Sequence, residues 1–535
     1  MDNIYKKTKI RKNKGTLGFQ SNTKFGHNKD KSVLNYTMSI IRKQTILSSI
    51  YSYLGVGVGV ITQLFFIPHF LSKEENGLLG LLLAYTYTII QLANLGFNAA
   101  GGRFFTYFRD YEKKHNGYLF LGIMTSVLGF LLCSTILLIF KDFFISSNEE
   151  KSHLFKDYYW VLFVISFFML FFNVFDNYAR GLFDTVWGTF FSQFLQRFLV
   201  MCSLVFVAFK LVDFSVFIWI WIVAISLPTL LMFMRASQMQ GFSLKPDFSF
   251  FKTEHKSEYL KYSALSAFTG LSSIIINQLD KILVHKYLGL AETGVYNTSL
   301  LFTSVMGMSL MAMNKASSSI IIDALNLQDY KKVGIIYSKS CLTQLALGGL
   351  LFIGVCVNIE TILTILPSGY AEAKWVIMLL CFGKLIDLAT GVNGMILAYS
   401  KHFRLDAILM ISFVFVLYLM NTFFIPTWHL IGASIAAVIA MTYYNSVRTF
   451  LVWKKFGLQP FSLATCKLLG LIVVTMTLGL FLPKISGSFI LTLVDLVYRS
   501  AVVSVVFVTG LYYTKASEEI NSMLDAGLKL LKLKR

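Results

Sequence analysis

Followed for the spacing of apolar and polar positions, the chain falls into long hydrophobic runs separated by short polar or basic stretches. A bilayer core about 30 Å thick takes roughly 20 mostly apolar residues per helix, and each run has that length. Fourteen membrane-crossing helices are predicted, at 45–70, 77–99, 117–140, 158–180, 186–209, 212–234, 260–286, 294–314, 335–358, 374–397, 405–424, 428–450, 462–483 and 488–513. The longest polar interruption, MRASQMQGFSLKPDFSFFKTEHKSEY at 234–259, follows the sixth run and divides the series. Residues 1–43 are rich in Lys, Asn and Ser and lack apolar periodicity, the composition of a disordered tail. About forty polar residues precede the first run and no small-residue cleavage site follows it, so it is not read as a cleaved signal peptide.

The predicted fold is therefore all-α: a polytopic membrane protein of about 14 transmembrane helices in two six-helix lobes plus two extra C-terminal helices. Its expected parts are a basic cytoplasmic tail at 1–43, an N-terminal lobe at 44–235, a cytoplasmic linker at 236–258, a C-terminal lobe at 259–455, helices 13 and 14 within 456–513, and a second basic tail at 514–535. The lobes read as a repeat. Thr45–Gly77 lies over Tyr262–Gly294 without a gap at a constant offset of 217, and Ser49, Leu54, Leu71, Glu75 and Gly77 recur as Ser266, Leu271, Leu288, Glu292 and Gly294. Each segment opens a lobe and ends in a short turn, LSKEENG at 71–77 and LGLAETG at 288–294. Two halves pointing the same way form a parallel repeat about an axis along the membrane normal, a plan found among transporters.

Composition excludes a soluble binding module, because 56% of the 535 residues are hydrophobic and only 14% charged, against roughly 25% charged in ordinary soluble domains. Charge sets the orientation. With the N-terminus inside, and residues at span ends counted with the nearer side, 36 Lys and Arg fall inside, 8 outside and 4 within spans, as the positive-inside rule requires. Both termini are thus expected in the cytoplasm. Basic clusters such as KKTKIRKNK at 6–14 and LKLLKLKR at 528–535 attract anionic membrane lipids by about 1 kcal/mol per basic residue, so the net charge of +20 calls for no nucleic-acid partner. Cys133, Cys202, Cys341, Cys356, Cys381 and Cys466 lie in or beside apolar runs without metal-ligand spacing and read as small hydrophobes. Neither a metal nor a cofactor is expected.

The turn glycine after the first span, ANLGFNAAGGRFF at 93–105 and QLDKILVHKYLGLAETGVYNTSLL at 278–301 resemble bacterial polysaccharide flippases, which handle O-antigen and other lipid-linked oligosaccharides, of the multidrug/oligosaccharidyl-lipid/polysaccharide exporter superfamily. Fourteen spans with both ends inside also match that family. The resemblance implies two lobes around a cavity that alternates between inward-open and outward-open forms, with no catalytic residue. It implies as cargo a polyprenyl-pyrophosphate-linked oligosaccharide, moved to the outer leaflet of the bacterial cytoplasmic membrane for surface polysaccharide such as lipopolysaccharide. A polysaccharide polymerase or glycosyltransferases are the implied partners.

An ionisable group at the bilayer centre costs about 2.5–3.5 kcal/mol, so each one needs a reason. Asp176 with Arg180 and Asp495 with Arg499 are spaced i,i+4, and Lys384 with Asp387 i,i+3, so each pair is expected to meet on one helix face and serve structure. Asp280 and Lys281, in IIINQLDKILVHKYLG at 274–289, are adjacent and point about 100° apart on a helix, so at least one must find a partner elsewhere. Ser263, Ser266, Gly270, Ser273 and Asn277 lead towards them as a polar stripe, which should face a wet cavity or another helix.

In the family resembled, the helices that open each half and their successors line the cavity. Carried onto this sequence, the candidate lining is Gln63, Gln91, Asn94, Asn98, Arg103, Asn277, Asp280, Lys281, Asn314 and Lys315. For the amides the competing role is hydrogen bonding between helices, roughly 0.6–2 kcal/mol each; for Arg103 and Lys315 it is anchoring at the inner boundary. Arg197 has no acid within helical reach and joins the candidates because a guanidinium fork suits phosphate oxygens. Cations and amides of this kind could replace water around a diphosphate and sugar crossing hydrocarbon.

Two other functions compete. A cation-coupled drug or small-molecule exporter would favour cavity carboxylates; the first span has none, but Asp176, Asp280 and Asp387 remain. A membrane glycosyltransferase or polymerase would need a larger outer region than the seventeen residues near 141–157, and no nucleotide-binding loop or nucleophile–base arrangement is present in the sequence.

Overall fold

The computed structural model describes residues 44, 46–146, 153–248, 250, 254–485, 487–515, 521–522 and 525, without the side chains of 143, 146, 268–269 and 271–277. The expected tails at 1–43 and most of 514–535 lie outside the described residues. The helices of the first half are α1 Ile46–Phe70, α2 Lys73–Ala93, α3 Lys114–Ile139, α4 Val161–Gly181, α5 Val186–Ala208 and α6 Phe214–Ser237. The second half begins with α7 Lys256–Leu288, α8 Leu290–Asn326 and α9 Tyr330–Ile365. Then come α10, formed by Ala373–Ala389 and Asn393–Tyr399 with a 54° bend between them, and the long stretch Phe403–Phe456. Last are α13 Leu463–Leu480 and α14 Phe489–Thr514.

Among the described residues, eleven helices are long and apolar enough to cross a bilayer, and bent α10 makes twelve. Phe403–Phe456 is counted once there but holds two crossings. At 54 residues an unbroken helix would run about 80 Å, from a rise of 1.5 Å per residue. It leaves helical geometry at Trp428 and His429, just after Pro426, and doubles back as α11 (403–427) and α12 (430–456). Phe413 then packs on Tyr444 with ring centroids 4.7 Å apart, and Tyr443 donates to the Ser412 hydroxyl at 3.1 Å. Helix α7, at 33 residues long enough to be the fourteenth crossing, is less apolar than the others, because Ser, Thr, Asn and Gln dilute 262–279 and Asp280 and Lys281 follow. The architecture is an all-α, multi-pass membrane fold.

Local chemistry sets the turns. Ser72 accepts the Glu75 N–H at 3.2 Å and returns its own N–H to the Glu75 carboxylate at 2.7 Å, a capping box that starts α2 directly after α1. Gly289, with φ 96°, makes the break between α7 and α8 in a conformation that other residues adopt at a cost. Helices α8 and α9 contain 37 and 36 residues, well beyond the roughly 20 that a bilayer needs. Two spans contain π turns, Thr62–Phe66 in α1 and Phe190–Leu195 in α5, local widenings that are frequent at functional sites.

Packing joins the halves where the repeat places its turns. A Cβ on Gly77 would overlap the Leu290 carbonyl, and a Cβ on Gly294 would overlap the Lys73 carbonyl. Residues 73 and 290, like 77 and 294, are 217 apart, so each half touches the other with the same two positions. Such reciprocity is what a two-fold axis between the glycines generates. Helices α13 and α14 flank the second half, with Ile472 and Phe507 against Gly349 of α9.

Candidate functional site

Asp280 is the meeting point of three helices. Its carboxylate accepts the Asn421 amide of α11 at 2.8 Å and the Tyr296 hydroxyl of α8 at 3.2 Å. Both partners are fully buried, and Asn421 is fixed in turn by its bond to the Leu417 carbonyl at 2.9 Å. Adjacency turns Lys281 away from this cluster. Lys281 is half-buried, and no described residue forms a hydrogen bond or ion pair with it. In this it differs from Arg103, Arg180, Arg235, Lys384 and Arg448, each within 4 Å of a carboxylate.

Arg197 also has no acid partner among the described residues, but it has a place. Its guanidinium donates to the Gly55 carbonyl of α1 at 3.1 Å and to the Gln193 side chain at 3.4 Å. Glycine at 59 leaves it room, since a Cβ there would lie 3.2 Å from Nη1. Arg197 therefore ties α5 to α1 beside the π turns of both. An arginine has five N–H donors, and these two bonds leave most of them free for another acceptor.

The remaining candidates separate into groups. Gln91 covers Gly270 of α7, where a Cβ would overlap its amide. Asn94 accepts the Asn98 N–H at 2.9 Å and so starts the helix Phe97–Phe108, while the Asn98 carbonyl accepts the Asn177 amide at 2.8 Å. Arg103 lies 4.5 Å from the Tyr262 ring centroid and 3.8 Å from Glu258. These four residues belong to contacts between or within helices near the seam of α2 and α7. Gln63 and Asn314 each carry a buried amide oxygen without a partner, and Lys315 is exposed. The Asn277 side chain lies outside the described residues. The start of the polar stripe meets the turn that follows α2: Ser263 donates to the Leu95 carbonyl at 2.8 Å, and Gly96 packs against the Ser263 backbone.

Of the three expected ion pairs, Asp176–Arg180 closes at 2.6 Å and Lys384–Asp387 at 2.8 Å. The third does not form. Asp495 accepts the Thr361 hydroxyl of α9 at 2.6 Å and the Ile485 N–H at 2.8 Å, and Arg499 donates to the Gly479 carbonyl at 3.4 Å. Spacing allowed the pair, but each carboxylate oxygen instead takes a donor from another segment. Thr361→Val is accordingly expected to lower the stability of the detergent-purified protein by about 1–3 kcal/mol, the range for leaving a buried acceptor without its donor; unchanged thermal unfolding would contradict it.

Several polar partners were missed in the sequence. Asp406 and Arg448 pair at 2.8 Å between α11 and α12. Buried Asn445 accepts the Thr390 hydroxyl at 2.9 Å and the Asn393 amide at 3.3 Å, and donates to Asp387 at 3.2 Å, fastening the bend of α10 to α12. The only hint was Thr390, Gly391 and Asn393 interrupting an apolar run.

No family profile and no curated protein sequence matches the chain. Solved structures do. Lipid II flippase MurJ in an inward closed conformation aligns with a TM-score of 0.66 at 13% identity, covering 88% of this chain and 99% of that one. An inward-facing multidrug resistance MATE family transporter of the MOP superfamily aligns at 0.60 and 15% identity, covering 77% and 94%. A MATE in complex with MaL6 aligns at 0.51 and 16%, covering 78% and 96%. At these identities the likeness is one of fold.

Proposed function

We propose that this protein is an alternating-access transporter that flips a polyprenyl-pyrophosphate-linked oligosaccharide from the inner to the outer leaflet of a bacterial cytoplasmic membrane, for export of surface polysaccharide. The observation that carries this reading is Lys281, an interior cation that no carboxylate among the described residues neutralises. A charge left unpaired among spans is costly, and a cargo that brings its own anion removes the cost whenever it binds. Asp280 does not compete, because Asn421 and Tyr296 hold it. Arg197, with donors to spare beside the Gly55 carbonyl, offers a second contact for phosphate or sugar oxygens. The fold is shared with a lipid II flippase over 88% of the chain, against 77–78% for the MATE structures. The difference, roughly a tenth of the chain, is about the length of α13 and α14.

The cation-coupled exporter is favoured by one feature, the Asp280 carboxylate at a junction of three helices. The two readings separate in proteoliposomes that carry a fluorescent polyprenyl-pyrophosphate oligosaccharide. A flippase gives protein-dependent movement of the label between leaflets, read as a change in the fraction that an impermeant quencher reaches. No such movement, combined with proton- or sodium-driven uptake of a cationic dye, would replace the flippase by the exporter.

A further inference from the structure

The reciprocal contact of Gly77 and Gly294 surrounds one amide that neither the fold nor the proposed cargo site accounts for. Asn76 is completely buried. Its amide nitrogen lies 3.0 Å from the Gly294 carbonyl, 3.0 Å from the Thr298 hydroxyl and 3.1 Å from the Tyr370 hydroxyl. Its oxygen accepts the Asn297 amide at 3.2 Å. Every one of these partners belongs to the other half of the chain, on α8 or in the turn between α9 and α10. The repeat gives Asn76 no counterpart, since the equivalent position is Thr293, whose hydroxyl bonds to the Gly289 carbonyl of its own turn at 2.7 Å.

We propose, resting on the alternating-access reading, that Asn76 is the latch of the outer gate: it holds the outer ends of the two halves together, and the contacts that its two N–H groups share among Gly294, Thr298 and Tyr370 break when the protein opens outward. The glycines bring the backbones of α2 and α8 into contact, and this close approach excludes the water that would otherwise take over the bonds of the amide. A buried amide satisfied wholly by the opposite half makes the closed arrangement specific in register as well as stable. Opening leaves it without partners until water reaches it, so its hydrogen bonds set the balance between closed and open forms. Tyr370 extends the latch to the α9–α10 turn, so that turn follows α8 as the gate moves.

Accessibility tests this without any cargo. Ser304 lies seven residues further along α8 than Asn297, on the same helix face, and is exposed. Ser304→Cys is introduced into the protein in sealed vesicles with the outer face accessible, and reaction with an impermeant maleimide is timed, the parent with its native cysteines giving the blank. Asn76→Leu is expected to raise the Ser304→Cys labelling rate about tenfold or more, and Tyr370→Phe about two- to threefold, in line with several hydrogen bonds lost against one. Tyr370→Phe keeps the ring and so decides the matter if Asn76→Leu does not reach the membrane. Equal rates in the parent, Asn76→Leu and Tyr370→Phe, or complete labelling in the parent, would overturn the proposal.

Discussion

Lys281→Gln is expected to reduce flipping of a lipid-linked oligosaccharide at least tenfold at unchanged protein level, whereas Lys281→Arg keeps most of the activity. The protein level should hold because no described residue pairs with Lys281; removing its charge strands nothing, and Asp280 retains Asn421 and Tyr296. Transport should fall because a hydrogen bond to a charged group contributes about 1.5–3 kcal/mol, which corresponds to a factor of roughly 10 to 150 in binding. A packing role for Lys281 predicts the opposite order, since a guanidinium is bulkier than an ammonium and the amide of Gln could still hydrogen-bond. The measurement is the initial rate of label movement in proteoliposomes at matched protein content. Parental transport by Lys281→Gln would remove the cationic role.

The second large effect is on stability. Arg448 stacks 4.0 Å from the Tyr444 ring centroid and pairs with Asp406 at 2.8 Å, with side chains only 15% and 9% exposed. Glycine at 394 makes space for the guanidinium, because a Cβ there would lie 2.5 Å from Nη1. Breaking a buried pair by removing one partner costs about 3–5 kcal/mol, because the other charge is left behind. Arg448→Leu and Asp406→Leu should each lower the thermal unfolding temperature of the purified protein and the amount of it in the membrane. The double replacement should recover most of the loss, since an apolar pair of similar volume strands no charge. Single variants that unfold with the parent, or a double variant worse than both, would refute this account of the pair.

Neither residue of that pair stood out in the sequence, although Asp176–Arg180 and Lys384–Asp387 did, and the contrast is physical. A partner one helical turn away is fixed by the 3.6-residue period; Arg448 and Asp406 are 42 residues apart and meet because Phe403–Phe456 doubles back at Trp428. Asp495 and Arg499 mark the limit of spacing as a guide, since the period permitted a pair that Thr361 and Ile485 pre-empted. The same holds for the candidate site. The sequence showed that adjacent Asp280 and Lys281 could not pair with each other but not which of them finds a partner elsewhere, and Asn94 and Asn98, equally prominent there, are spent on the start of a helix and on Asn177.

What the sequence determined by itself is the number, order and approximate extent of the spans, together with the turns capped by Ser72 and opened at Gly289. These follow from one-dimensional constraints: the bilayer fixes the length of an apolar run, and the need to satisfy every backbone group inside it leaves only helix. The tertiary structure alone decided which face of each helix meets which neighbour. Asn421 with Asp280 and Tyr370 with Asn76 join positions 141 and 294 residues apart. In water an apolar stripe announces the buried face of a helix; in lipid both faces are apolar, and close packing with a few hydrogen bonds chooses between them. Those choices leave almost no periodic trace along the chain.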